Sequence, residues 1–382
     1  MVCECRVNRK VLVITIFFGC LVLIGLIFFR FGAGSQTAAS DLEKTLVLSH
    51  VLFRHGNRTP EPHELYPKDP YINETYYPYG YGQLTKAGKQ QEFNIGRALR
   101  DRYRNFLGDY FLPQIVEALS TDYYRTKMSL ELVLASLFLP HKEQMFENGL
   151  NWQPVPYDYL PKNHDPVLRG FMCPTYIKLY KNVTTSKEVE DKLRGHEEIF
   201  DFISKNTGLS VTSYVDIYDL YFGLLIEEDW GFTLPSWTKE VWPEPIYSLA
   251  IQEYFVSMKT KEMRQIAVGY FLEKVIEDTM SVLNGKAAGK KLYLYSAHED
   301  NIAKLLIALG VFQPPHIPTY GSYIMLEVHK IDQTYGFKIY YEDYSGNGAK
   351  LMKLPECEEF CPLDRFTKIV NYLIPDRELC GM

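Results

Sequence analysis

Arg54-His55-Gly56-Asn57-Arg58 sets an imidazole between two guanidinium groups, directly after the apolar run TLVLSHVLF. A buried-looking strand that ends this way is built to hold something negative, because arginine offers paired planar donors that match phosphate or carboxylate oxygens. Two further segments carry related chemistry. Asp122 and Arg125 follow Ser120 in STDYYRTKMS, and His298, Glu299 and Asp300 follow Ala297 in YSAHEDNIA. These arginines, histidines and acids could bind a dianionic phosphoryl group, attack it and protonate what leaves. Each piece also has a plainer explanation. A lone histidine after a strand is most often structural. An acid opening a helix is most often a cap or a partner of the helix dipole, which covers Asp122 and one of Glu299 and Asp300. Arg125 alone could be a solvated helix residue. The recurrence of these residue types behind three separate strands is what favours a site.

The elements that must position them are legible. Residues 45–53 read as a strand buried on both faces. A helix is expected over 85–103 behind a Thr85 cap, a short strand over 115–120 and a helix over 125–138. Another strand spans 291–297. Behind it Ile302, Leu305, Leu306 and Leu309 recur at helical spacing, and Gly310 closes that helix. Residues 322–330 and 336–343 read as two strands joined by a 332–335 turn at a sheet edge. Alternating strands and helices make this an α/β fold with a doubly wound, mainly parallel sheet, whose ligands bind beyond the carboxyl ends of the strands. The three polar segments fall at such ends. The stretch 151–261 is rich in Pro, Trp and Tyr and has helical runs but few strand signals. It reads as a mostly helical cap domain, leaving 44–150 and 262–382 as the core.

The chain has 382 residues, 46% of them hydrophobic, which is ample for a large core. A formal net charge of −6 argues against nucleic-acid binding but leaves room for an anionic substrate held by a local cluster of arginines. Residues 11–29, VLVITIFFGCLVLIGLIFF, carry no charge and suit a transmembrane signal-anchor. Arg6, Arg9 and Lys10 keep the 1–10 tail cytoplasmic, and 30–43 is a linker. The alternative is a cleaved signal peptide and a secreted protein. Both place the remainder in the lumen or outside the cell. Four of the seven cysteines lie there: Cys173, Cys357, Cys361 and Cys380. In an oxidising compartment they suggest two disulfides, with three pairings open. The close spacing of Cys357 and Cys361 favours a local bridge, leaving Cys173 with Cys380. Asn73 and Asn182 open glycosylation sequons. A third, at Asn57, is expected to stay bare, because a cleft floor would not admit a glycan.

Arg54-His55-Gly56-Asn57-Arg58-Thr59-Pro60 resembles the RHGxRxP signature of the histidine acid phosphatases. Ser296-Ala297-His298-Glu299 resembles that family's second catalytic segment. Gly82-Gln83-Leu84-Thr85 with Gly88 resembles its GQLTxxG helix start, and Ser120-Thr121-Asp122 with Arg125 and Ser129 resembles the segment supplying its third arginine. CEEFCPL, 357–363, resembles its C-terminal cysteine loop. The likeness runs in order from about Lys44 to Cys380 and is strongest to the prostatic and lysosomal acid phosphatase branch. It implies a phosphoglycerate mutase-like fold and an enzyme hydrolysing phosphate monoesters, either small molecules or a phosphoprotein, with no metal or other cofactor. His55 would be the nucleophile, forming a phosphohistidine, while Arg54, Arg58, Arg125 and His298 clamp the phosphoryl oxygens. A carboxylic acid would protonate the leaving alcohol. The family places Asp directly after the second histidine, whereas this chain has Glu299 and then Asp300. Glu299 is therefore the first choice as proton donor and Asp300 the reserve. The extra methylene moves a carboxyl by about an ångström, against a catalytic tolerance of about half that. Two other readings stand beside this one: a phosphatase restricted to phytate, a lysophospholipid or a phosphosugar, and a phosphate-binding ectodomain whose catalysis has weakened or lapsed. The family includes dimers, so a homodimer is compatible, although no interface is marked in the sequence.

Overall fold

The computed structural model describes residues 44–381 except 288, 347 and 377. The tail, the 11–29 span and the 30–43 linker lie outside the described residues. Among the described residues, no helix is long and apolar enough to cross a membrane. The chain from Val47 onward forms one compact unit.

Strand β1 (Leu46–Arg54) is buried at nearly every position. Successive side chains point to opposite faces of a strand, so burial of Val51, Leu52 and Phe53 in a row means that both faces are covered. Each such side chain contributes about 2 kcal/mol of apolar burial. The other strands are β2 (Val116–Ser120), β3 (Asp158–Tyr159), β4 (Leu292–Ala297), β5 (Tyr323–Ile331), β6 (Thr334–Glu342), β7 (Lys350–Met352) and β8 (Cys361–Pro362). They form one sheet in the order β3-β2-β4-β1-β5-β6-β7, with β8 also on β6. β1, β4, β2 and β3 pair in parallel. Their register aligns the strand ends, because Phe53 and Ser120 both face Ser296, and Arg54 faces Ala297. The next amides continue the pairing: His55 N–H donates to Ala297 O and Thr121 N–H to Ser296 O, each at 3.1 Å. The three polar segments therefore leave the sheet side by side and at one level.

The antiparallel side departs slightly from expectation. β5 and β6 pair as far as Ile331 with Thr334, so the turn is only Asp332 and Gln333, not 332–335. Both turn residues have positive φ, 46° and 64°. A two-residue turn of that hand matches the twist of the strands and lets the pairing run further.

Helix α1 (Lys86–Leu107) begins at its Thr85 cap, whose hydroxyl accepts from Gly88 N–H at 3.1 Å. It continues past the expected end at 103. Tyr103 is kinked, with φ −110° and ψ 16°, but Leu107 is still buried and Gly108, at φ 81°, closes the helix. Helix α2 (Tyr124–Leu137) follows β2. Helices α3 (Pro174–Thr184), α4 (Lys187–Arg194), α5 (Glu197–Thr207), α6 (Tyr214–Asp229) and α7 (Ile246–Val256) make the mostly helical cap. The same stretch also supplies β3, which adds a short edge to the sheet beside β2. Helices α8 (Tyr270–Leu283), α9 (Glu299–Ala308) and α10 (Leu363–Val370) belong to the core, and a short helical turn, Lys261–Arg264, precedes α8. Disulfides join Cys173 to Cys380 and Cys357 to Cys361. Asn73 and Asn182 are exposed.

Candidate active site

The loop after β1 lies directly against the start of α1, and two glycines make that approach fit. A Cβ on Gly88 would stand 2.0 Å from Asn57 O, and one on Gly56 would stand 2.4 Å from Gly88 O. In both cases the obstacle is backbone, which cannot rotate away. Thr85 ties the same contact, donating from N to Asn57 O at 3.0 Å and from Oγ1 to Asn57 Oδ1 at 2.7 Å. The Asn57 amide donates onward to Asp229 Oδ2 at 2.8 Å. The Asn57 side chain is thus engaged within the protein.

His55 is 1% exposed. Its Nδ1 lies 2.8 Å from Gly56 O. A carbonyl can only accept, so Nδ1 carries the proton and the lone pair is on Nε2. That Nε2 is buried and has no hydrogen-bond partner among the described residues. Burial first, then the charges of Arg125, Arg54 and Arg58, hold the imidazole well below its usual pKa, against the opposing bond to Gly56. These surroundings favour the neutral ring. The His298 ring stands edge-on to it, 5.4 Å between centroids, and its Nε2 is 3.0 Å from Thr121 Oγ1. His298 is likewise held well below its usual value, by burial and then by Arg125 and Arg169.

The three arginines are fixed by different groups. Arg54 Nη1 donates to Pro318 O at 2.5 Å, and its guanidinium carbon lies 3.9 Å from the Tyr320 ring centroid. Arg58 makes a two-bond pair with Glu64, at 2.7 and 2.5 Å, where both side chains are buried. Arg125 Nη1 pairs with Glu61 at 2.5 Å. Arg54 Nη2, Arg58 Nε and Arg125 Nε remain buried without partners among the described residues. An unmet buried donor costs about 1–3 kcal/mol, so a cluster of such donors is suited to an anion that meets them all.

The two acids differ in setting. Glu299 lines a cavity of about 450 Å³ that Arg58, Arg125 and His298 also line. One of its oxygens accepts from the Tyr218 hydroxyl, and the other is 3.5 Å from Arg54 Nε. Asp300 also reaches this cavity, but its Oδ2 is taken by Lys304 Nζ at 2.8 Å, one turn along α9. Burial would raise the Asp300 carboxyl, yet Lys304 and Arg169 hold it below the ordinary value. Asp122 is not a helix cap: Tyr123 occupies that position, and Asp122 instead pairs with Lys127 at 2.6 Å.

Sequence reasoning missed Tyr218, Arg169, Glu61 and Glu64. Glu61 and Glu64 carry a faint signal, being acids just beyond the cationic signature. Tyr218 is one of 29 tyrosines, and Arg169 stands in an irregular stretch, so neither is marked locally.

Three converging strand ends, orphaned arginine donors and a buried histidine make an arrangement that could hold a phosphoryl group on a doubly wound sheet. Comparison with known proteins agrees. The model for the histidine phosphatase superfamily (branch 2) matches residues 45–342. The chain is 36% identical to the venom acid phosphatase Acph-1 of Apis mellifera over 332 residues, covering 86% of this chain and 85% of the relative. It is 31% identical to lysosomal acid phosphatase of Bos taurus over 338 residues, covering 87% and 79%. Among solved structures, the Hafnia alvei phytase in complex with tartrate superposes with a TM-score of 0.64 at 15% identity, covering 88% of this chain and 98% of that one. The chain belongs to the histidine phosphatase superfamily, branch 2, as an enzyme of the acid phosphatase type.

Proposed function

We propose that the protein hydrolyses phosphate monoesters through a covalent phosphohistidine on His55. The observation that carries this reading is the His55 ring itself, with its proton fixed on Nδ1 by Gly56 O and an unpartnered Nε2 beside the arginine donors. Arg54, Arg58, Arg125 and His298 take the phosphoryl oxygens and stabilise the charge that spreads over them in the transition state. Nε2 forms a bond to phosphorus as the ester P–O bond breaks. Glu299 gives its proton to the leaving oxygen, and its carboxylate then takes a proton from the water that attacks phosphorus. Inorganic phosphate leaves and His55 returns to its neutral form. Gly56 O accepts from the Nδ1 proton throughout, which favours the positive charge the ring carries while it is phosphorylated. Asp300 serves this chemistry less well, because its ion pair with Lys304 holds its carboxyl below the ordinary value and occupies one of its oxygens.

A depressed imidazole pKa suits acid conditions, where an ordinary histidine would be protonated and unable to attack. The disulfides and the venom and lysosomal names of two relatives support a site in the secretory pathway or beyond it. The test is turnover of p-nitrophenyl phosphate in acid by the full-length protein. The wild type should turn it over and His55→Ala should not. Undiminished turnover by His55→Ala would end this reading.

A further inference from the structure

Among the described residues, one arginine that lines the cavity is in no ion pair with a carboxylate. Arg58 pairs with Glu64, Arg125 with Glu61 and Lys304 with Asp300, and Arg54 lies 3.5 Å from Glu299. Arg169 lines the same cavity but pairs with no carboxylate among the described residues. It is 6% exposed, and its Nε is buried without a partner. Its Nη2 donates to the Tyr123 hydroxyl at 2.5 Å. Two rings hold the guanidinium in place, with Tyr123 at 4.6 Å and Phe171 at 4.0 Å from its central carbon. Lys162 Nζ lies 4.2 Å from the same Tyr123 ring, and the Arg125 guanidinium 4.6 Å from it. Three cations gather around one ring. A buried guanidinium without a counter-charge is costly unless a ligand supplies one.

Its position relative to the reaction is also marked. Arg125, Arg54 and Arg58 are the arginines whose charge acts on His55. Arg169 is not among them; it lines the cavity together with Glu299 and Asp300, whose charges act on it along with that of Asp165. It therefore stands toward the acid that serves the leaving group. In-line transfer puts the leaving group opposite the nucleophile. Lys162 is exposed and extends the positive charge outward.

We propose that Arg169, with Lys162 and the Tyr123 ring, binds a second anionic group on the leaving-group part of the substrate. The favoured substrates are then monoesters that carry a carboxylate or a second phosphate, ahead of esters of uncharged alcohols. This rests on phosphoryl transfer at His55. Arginine suits the role because its planar donors match either oxyanion.

The test compares kcat/KM of the full-length protein for phosphoglycolate, ethanediol bisphosphate and ethyl phosphate, with p-nitrophenyl phosphate as a separate check of phosphatase activity. Wild type should favour at least one charged ester over ethyl phosphate by about tenfold, the scale of a charge-assisted contact. Which one it favours identifies the second group. Arg169→Gln should bring that ratio close to one, and Arg169→Lys should keep part of it. Lys162→Ala, at an exposed position, should lower the ratio by about threefold. Comparing ratios between variants cancels the differing reactivity of the leaving groups. A wild-type ratio near one would overturn the proposal. So would an equal fall on all esters in Arg169→Gln, which would place Arg169 in the primary clamp. Loss of p-nitrophenyl phosphate turnover in wild type would instead defeat the phosphatase reading.

Discussion

Gly88→Ala is the most informative small perturbation of this site. A Cβ at residue 88 would meet Asn57 O at 2.0 Å, whereas ordinary contacts of such an atom begin at 3.4 Å. The difference, 1.4 Å, is the distance by which the loop must recede from α1. Asn57 lies between His55 and Arg58, so that displacement reaches both the nucleophile and the clamp. A misplacement of about 1 Å can cost roughly 10²-fold in rate, equivalent to about 2.7 kcal/mol of transition-state stabilisation. The helix itself should not suffer, because alanine is favoured over glycine inside a helix by about 1 kcal/mol. Gly88→Ala should therefore remain folded and lose about 10²-fold in kcat/KM for p-nitrophenyl phosphate. Gly108→Ala is the matched control. Gly108 has φ 81°, ψ −178° and no atom within 4 Å of its Cβ position, so alanine there should cost about 1–3 kcal/mol of stability through backbone strain alone and leave kcat/KM unchanged. Steady-state kinetics and thermal unfolding of both variants decide the matter. Wild-type kcat/KM in Gly88→Ala would refute the claim that this backbone contact sets the position of His55.

Glu299→Gln should lower kcat by about 10²-fold or more, the usual worth of a proton donor, while Asp300→Asn stays within about tenfold of wild type. Reversed magnitudes in steady-state assays would reassign the donor. Glu64→Gln leaves Arg58 buried without its counter-charge and should destabilise the protein by about 3 kcal/mol, read from the urea midpoint. Stability should also fall as pH rises from about 6.5 to 8.5, because burial and Asp69 push Glu227 up to about 8, burial and Glu64 push Asp219 up to about 8, and burial pushes Glu253 up to about 7. In the unfolded chain these carboxyls are already ionised throughout that window, whereas in the fold they hold their protons until the pH reaches those values, so the fall flattens above about 8. The buried His50, lowered to about 3, opposes this fall only near pH 6.5, where an unfolded imidazole still binds part of a proton, and adds no slope above about 7.5. A melting temperature that rises between those two pH values would contradict this assignment.

The fold was readable where one period or one punctuation mark governs the backbone. β1 and β4 are near-continuous apolar runs because both of their faces are covered. Thr85 and Gly88 announce a helix start, and the structure gives them a second use in seating the loop after β1. What could not be read depends on contacts between distant segments. Nothing near Tyr218 in the sequence says that its hydroxyl will meet Glu299, 81 residues away. Arg169 acquires its meaning only when the cap brings it to Tyr123, 46 residues distant. The true turn between β5 and β6 was missed for a local reason. Asp332 and Gln333 both accept positive φ, a conformation that neither residue type advertises as glycine or asparagine would.

The central claim is a covalent bond from phosphorus to His55 Nε2. The direct measurement is to quench the full-length protein during turnover of a labelled phosphomonoester and locate the label by peptide mass spectrometry under conditions that preserve phosphohistidine. An acid-labile phosphoryl group on the peptide containing His55, absent from His55→Ala, is the predicted result. Label carried by another residue, or turnover that persists in His55→Ala, would contradict it.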